Sequence, residues 1–153
     1  MKADEQMVIF KLANEDYGIP IAKVMEINRM VTITKLPQTA EYMEGIINLR
    51  GRVIPVIDLR KRFGLAAKPH EEDTRIMIID IGGKTVGIIV DAVHEVVQIQ
   101  GASIEPPPPA FILDAQYIEG IGKMDDRLVI LLNIDRIMTS RETIQLDLSS
   151  QSL

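Results

Sequence analysis

The stretch "GIINLRGRVIPVIDLRKRFG", residues 45–64, decides how this chain is read. The segment 46–49, apolar except for Asn48, and the apolar run 53–57 flank the tight basic segment Arg50-Gly51-Arg52. Short β-branched runs separated by a Gly-containing turn spell a hairpin. Asp58 then sits where a helix N-terminus favours an acid, and Gly64 sits where a short helix would stop. Pro55 cannot donate to a ladder, so its strand is expected at a sheet edge or a bulge. Five of the seventeen Lys/Arg residues fall within 48–64, in a chain of net charge −5. That concentration poses a choice between a phosphate grip, a catalytic loop and a docking element for an acidic partner.

The surroundings narrow the choice. A length of 153 residues suits one ordinary domain or two very small ones. With no Cys, disulfides and thiolate metal sites are excluded. The start, "MKADEQMVIF", has neither the charge pattern nor the apolar length of a signal peptide. The longest apolar runs are strand-sized, well short of the roughly 20 residues a membrane helix requires. These features predict a soluble, cytoplasmic protein. Its acidity argues against a dedicated polyanion binder. The aromatics are few (Phe10, Phe63, Phe111, Tyr17, Tyr42, Tyr117), so Ile, Val and Leu must build the core.

The chain also repeats itself. "YGIPIAKVMEI" (17–27) lies on "VGIIVDAVHEV" (86–96) at an offset of 69, with Gly18/Gly87, Ile19/Ile88, Val24/Val93 and Glu26/Glu95 identical. The same offset stacks the apolar positions of 7–16 on 76–85 and puts Pro37 over Pro106. "EYMEGIINLRGRVIPVIDL" (41–59) lies on "QYIEGIGKMDDRLVILLNI" (116–134) at an offset of 75. Tyr42/Tyr117, Glu44/Glu119, Gly45/Gly120, Ile46/Ile121 and Arg52/Arg127 coincide there. The six-residue difference places an insertion around "GASIEPPPPAFILDA". Two long stretches repeated in the same order indicate an internal duplication.

Each half reads as about five short strands ended by turn signals, which predicts a mainly β chain of two small five-stranded barrels with short helices. Thr39 is placed to cap a short helix over "QTAEYM", and the Pro run 106–109 to be stiff and extended. The charged segment 66–73 marks the expected break, giving one barrel over 1–70 and a second over 71–153 with a short C-terminal helical tail.

Chemistry-bearing constellations are hard to assemble. "GGKT" (82–85) lacks the earlier Gly of a phosphate loop, since Ile78 stands in its place, and it leads into a strand; a hairpin turn fits better. His70 lies in the charged linker and His94 in an apolar strand, neither near other ligands at metal spacing. Asp125-Asp126 fits a hairpin turn and lacks the further acids of a calcium site. No Ser–His–Asp relay is spelled out. The chain is expected to be no enzyme and to hold no cofactor or metal. Barrels that bind single-stranded nucleic acid combine basic grooves with aromatic platforms. Here the basic segment offers only Phe63, so Arg60, Lys61 and Arg62 are expected to form a solvated helix face.

Taken together, "GIINLRGRVIPVIDLRKRFG", "YGIPIAKVMEI", "VGIIVDAV" and "EGIGKMDDRLVILLNI" resemble the CheW family of chemotaxis coupling proteins, over about Met7 to Thr139. The resemblance implies two SH3-like β-barrels, in which the first strand can cross to the other barrel. It implies a cytoplasmic, non-catalytic adaptor, monomeric in isolation. Its partners would be the cytoplasmic tip of a methyl-accepting chemotaxis receptor and the regulatory domain of the histidine kinase CheA. No nucleic acid or membrane insertion is implied. By the same resemblance a receptor groove lies between the barrels, lined by Val24 and Ile27 and by Val93 and Val96. Glu26 and Arg50 are its polar members, paired at its floor, and Gly45 and Gly51 fix the backbone beside it. The alternatives are a small nucleic-acid-binding barrel protein, or a regulatory domain of a kinase or receiver fusion. The latter is disfavoured by the start at Met1 and the end soon after the second barrel. "EPPPPAF" departs from the family pattern in its proline content.

Overall fold

The computed structural model describes residues 4–37, 42–107 and 117–137. Among these, eleven strands are formed: β1 (Glu5–Leu12), β2 (Glu15–Pro20), β3 (Val24–Arg29), β4 (Met43–Leu49), β5 (Arg52–Asp58), β6 (Arg75–Ile81), β7 (Lys84–Val90), β8 (Ala92–Ile99), β9 (Ile104–Glu105), β10 (Ile118–Met124) and β11 (Arg127–Leu132). A one-turn helix, α1 (Leu59–Arg62), follows β5. The strands form two sheets, ordered β8-β1-β2-β11-β10-β9 and β3-β6-β7-β5-β4. The two-residue β9 has a counterpart in the second sheet, the isolated bridge between Thr34 and Ile46. Without these small additions each sheet has five strands, as the two SH3-like barrels require.

The duplication holds down to the register. Val8 faces Val96 in one sheet and Met77 faces Ile27 in the other, and these are the same positions under the 69-residue offset. Both ladders skip one residue of the outer strand, His94 in one and Met25 in the other. Leu131 pairs with Gly18 and Val56 with Gly87, again equivalent. The hairpins β4–β5 and β10–β11 carry the same irregularity, at Met43/Gly45 and Ile118/Gly120.

The expected division at residues 70 and 71 does not follow the sheets. The first hairpin, β1–β2, joins β8–β11, whereas β3–β7 form the other sheet. Each repeat therefore lends its opening hairpin to the other's barrel, and the crossing element is a whole hairpin, not one strand. The physical reason is degeneracy: the two hairpins carry equivalent apolar patterns, so either can complete either barrel. The connections that make the exchange are a 3-10 turn at Ile21–Lys23 and the single residue Asp91.

The core is divided accordingly. Ile47, Ile54, Val56, Ile76, Ile78 and Ile89 fill one barrel. Met7, Ile9, Ile99, Val129 and Leu131 fill the other. The largest cluster, including Val8, Phe10, Tyr17, Ile57, Met77, Ile79, Ile88 and Leu132, draws on both sheets and forms the seam between them. One shared apolar seam predicts a single cooperative unfolding transition; two well-separated calorimetric peaks would contradict it.

Pro55 corrects one expectation. Strand β5 is interior, between β7 and β4. The proline is tolerated because the parallel β5–β7 ladder begins only at Val56, so at position 55 the strand has one neighbour, opposite Ile46. The "GGKT" and Asp125-Asp126 segments are hairpin turns, with Gly82, Gly83 and Asp125 at positive φ. The expected Thr39 cap, the end of the proline run and the C-terminal helical tail lie outside the described residues.

Helix α1 behaves as its sequence suggests. The buried Asp58 is its N-cap, its Oδ1 accepting from the Arg60 N–H at 2.9 Å, and Gly64 takes φ 71 just after it. Burial raises the Asp58 carboxyl against the lowering effect of the Arg60 N–H, with Glu44's charge adding to the rise. A raised folded value means that ionised Asp58 costs stability at neutral pH, a cost relieved as pH falls through that value. Asn caps as well as Asp without a charge, so Asp58→Asn should be at least as stable as the parent at neutral pH. Asp58→Ala should lose about 1 kcal/mol in urea denaturation.

Of the basic residues of α1, only Lys61 keeps an exposed side chain; Arg60 and Arg62 are half-buried. Arg60 forms a two-point ion pair with Asp91, with Nε and Nη2 each 2.7 Å from a carboxylate oxygen. Lys61 lies 2.5 Å from Glu44. The Arg62 guanidinium lies over both Tyr42 and Tyr117, 4.8 and 5.0 Å from the ring centroids, and its Nε donates to the Ile137 carbonyl at 2.6 Å. Phe63 stacks between Tyr17 and Tyr117. Residues that read as a charged surface are ties to the other elements, because a one-turn helix on the seam leaves them acids and aromatics within reach.

Candidate functional site

The turn between β4 and β5 places the first side chain. Arg50 and Gly51 have φ of 51° and 83°, the pair of left-handed residues that a type I′ hairpin turn requires. For Arg this is an uncommon conformation. The Gly51 N–H donates to Asn48 Oδ1 at 2.9 Å, which fixes the turn. The guanidinium of Arg50 then reaches Glu26 on edge strand β3. Its Nη1 lies 2.8 Å from Oε1, and its Nη2 bonds Oε2. The hydrogen bond from Arg50 leads the effects that hold the Glu26 carboxyl below its ordinary range.

The pair was expected at the floor of a groove, among apolar side chains. Arg50 is 70% exposed and Glu26 26% exposed, so the pair sits at the surface. Strand β3 is an edge of its sheet, and a turn-borne arginine reaches it from the solvent side. An ion pair so placed adds little to stability. What it fixes is direction: a bidentate guanidinium holds both side chains in one plane.

The four aliphatic residues follow from register, because residues opposite each other in a ladder share a face. Val24 is opposite Ile79 and Ile27 is opposite Met77, and both partners belong to the seam. Val93 is opposite Phe10 and Val96 is opposite Val8, and these also belong to the seam. Val24 and Val93 are half-buried against the seam cluster. Ile27 and Val96, one step further out, are 40% and 50% exposed. The two edge strands thus carry matching aliphatic side chains on the face that forms the inter-barrel seam.

Gly45 stands apart from these. Its φ is +145°, and a Cβ there would lie 2.1 Å from the Thr34 carbonyl oxygen. It lets the chain before β4 approach closely enough for the Thr34–Ile46 bridge, so its task is closing the barrel.

Sequence reasoning missed an ion pair at the matching edge strand of the other sheet, made by an arginine that is not the repeat equivalent of Arg50. Arg127 bonds Glu95, the repeat equivalent of Glu26, and lies 3.5 Å from the buried Asp16, which Lys11 approaches at 2.8 Å. The alignment carried only part of the signal: Glu26/Glu95 is an identity, but Asp125 stands at the equivalent of Arg50, and the arginine is supplied instead by Arg127, the equivalent of Arg52. It also missed Arg62 between Tyr42 and Tyr117, another aligned pair.

The arrangement offers aliphatic side chains flanked by ion pairs, groups suited to gripping a protein surface. Among the described residues, no group of three or more His, Asp or Glu is placed to hold a metal. No described helix is long and apolar enough to cross a membrane.

Comparison with known proteins agrees with this architecture. Residues 6–142 match the sequence model of the CheW-like domain. The chain is 35% identical over 144 residues to the chemotaxis protein CheW of Klebsiella aerogenes, covering 94% of this chain and 87% of that one. It is 34% identical to CheW of Bacillus subtilis, over 90% of this chain and 89% of the relative. The crystal structure of the scaffolding protein TtCheW from Thermoanaerobacter tengcongensis superposes with a TM-score of 0.84 at 48% identity, covering 90% of this chain and 94% of the other. With both sheets, the duplication and nearly the whole length accounted for, the chain belongs to the CheW family.

Proposed function

We propose that this protein is a non-catalytic, cytoplasmic adaptor of bacterial chemotaxis that couples receptor cytoplasmic tips to the regulatory domain of the histidine kinase CheA. The observation that carries the reading is the matched exposure of Ile27 and Val96 along the seam, with Glu26 and Arg50 on the same edge strand and adjoining turn. A helical receptor tip would lay aliphatic side chains along Val24, Ile27, Val93 and Val96 and meet Arg50 with a polar group; Gly51 keeps that turn tight. The kinase regulatory domain would dock on the face of the second barrel away from this seam. Several weak contacts then reinforce one another in the assembly.

Co-sedimentation with a receptor fragment and the kinase tests the reading. The unmodified protein should sediment only when receptor is present and should carry kinase with it. Arg50→Ala should weaken receptor binding about tenfold with little change in melting temperature, because the exposed pair contributes little to folding. Exchanging the charges, Glu26→Arg with Arg50→Glu, should rebuild the pair without restoring receptor binding. Unchanged binding in Arg50→Ala would remove that residue from the site. Salt-sensitive binding to single-stranded nucleic acid would favour the barrel alternative instead.

A further inference from the structure

Among the described methionines, Met25 is set apart by its exposure and its partners. It is 54% exposed, whereas Met7 and Met77 are 3% and 0% exposed, and Met30, Met43 and Met124 are half-buried. It is the residue that the β3–β6 ladder skips, between Val24 and Glu26, so its side chain is released from the sheet's alternation. Its sulfur does not hang free in solvent. The Thr85 hydroxyl donates to Met25 Sδ at 3.8 Å, and Arg52 Nη2 donates to Thr85 Oγ1 at 3.3 Å. Arg52 flanks the same turn as Arg50, so this relay ends beside the Glu26–Arg50 pair. The repeat equivalent of Met25 is His94, so the sulfur belongs to one barrel only.

We propose that Met25 is a reversible oxidation site through which peroxide-class oxidants weaken partner binding at the β3 edge. In the reaction, the sulfur lone pair attacks one peroxide oxygen. The O–O bond breaks, an S–O bond forms, and the second oxygen takes the proton of the first and leaves as water; sulfur loses the two electrons that peroxide gains. The product is a polar sulfoxide. Its oxygen is a far stronger acceptor than a thioether, and the Thr85 hydroxyl, itself held by Arg52, is already placed to donate to it. The apolar, adaptable surface that a methionine offers a partner is replaced by a solvated dipole next to Glu26. The effect on binding rests on the adaptor reading above; the site's selectivity does not.

Two measurements test it on the full chain. Hydrogen peroxide treatment followed by peptide mapping should show Met25 gaining one oxygen at least about tenfold faster than Met7 or Met77. Comparable rates at the three would overturn the site. Receptor-fragment affinity is then compared before and after treatment for the unmodified protein and for Met25→Leu. Oxidation should weaken the former by roughly fivefold or more, leave the latter's own value unchanged, and be reversed by methionine sulfoxide reductase. Affinity that survives oxidation at Met25 would overturn the proposed effect. Failure of the untreated protein to bind the receptor fragment at all would instead overturn the adaptor reading and, with it, the effect on binding.

Discussion

Gly45→Ala is expected to be the most damaging single-methyl change in the described chain. At φ +145° an L side chain is strained wherever it points, which alone costs on the order of 1–3 kcal/mol. A new Cβ would also lie 2.1 Å from the Thr34 carbonyl oxygen and 3.0 Å from the Ile33 side chain. The first of these atoms is backbone, held by reciprocal hydrogen bonds of 2.8 Å between Thr34 and Ile46, and cannot rotate away. The bridge must open, so a total loss of about 3 kcal/mol or more is expected from urea denaturation. Gly51→Ala is the control. It too has positive φ, but nothing lies within 4 Å of the added methyl, so only the conformational part should be lost. Equal losses in the two variants would show that the close approach at Thr34 does not matter.

The second large effect is expected at Asp91, the single residue that carries the chain from one sheet to the other. Its carboxylate takes both nitrogens of Arg60 and also accepts from the Ala13 N–H at 2.9 Å, while its own N–H donates to the Lys11 carbonyl. One side chain thus joins helix α1 and the β1–β2 turn, which belong to different barrels. Asp135 does the same at the opposite crossover, facing Lys23 and the Gly82 N–H. Arg60 and Asp91 are 13% and 16% exposed, so Asp91→Ala leaves a nearly buried guanidinium without its carboxylate, with the Ala66 carbonyl as its remaining hydrogen-bond acceptor. A loss of about 2–3 kcal/mol follows, below the 3–5 of a fully buried pair. The Arg60→Met/Asp91→Ala double variant should recover part of it, which a double-mutant cycle would measure.

Acid should reproduce this loss. Burial alone would raise Asp91. The hydrogen bonds from Arg60 and the Ala13 N–H, with the charges of Arg60 and Lys68, outweigh it and hold the carboxyl below its ordinary value. For a depressed folded value, the stability is present above the unfolded value of about 3.9 and is lost as pH falls below it toward the folded value. Asp91→Asn should flatten the stability profile there. A profile identical to the parent's would show that this pair does not contribute.

How much of this was legible follows from where each signal resides. The turn at Arg50-Gly51, helix α1 with its Asp58 cap, and the strands on either side are local, written in residues within a few positions of one another. The duplication was legible because identities at Gly18/Gly87, Glu26/Glu95, Gly45/Gly120 and Tyr42/Tyr117 survive at two offsets. The eight candidate residues were reached through family resemblance, and the structure divides them. Glu26 and Arg50 meet as a pair, Gly51 serves their turn, the four aliphatics border the seam, and Gly45 closes a barrel.

The sequence by itself determined the repeated strand pattern, the tight turns, the short helix and the family. Each depends on local conformational preference or on residue identity, and neither requires knowing which parts of the chain meet. Tertiary structure alone decided which hairpin completes which barrel, because the two opening hairpins present interchangeable apolar faces. It alone gave Arg60, Lys61 and Arg62 their partners, because Asp91, Glu44, Tyr42 and Tyr117 are brought to α1 by elements distant in sequence. It alone made Pro55 tolerable in an interior strand, by starting the parallel ladder one residue later. A pattern along the chain records which face a residue prefers, and only the packed fold decides what stands opposite.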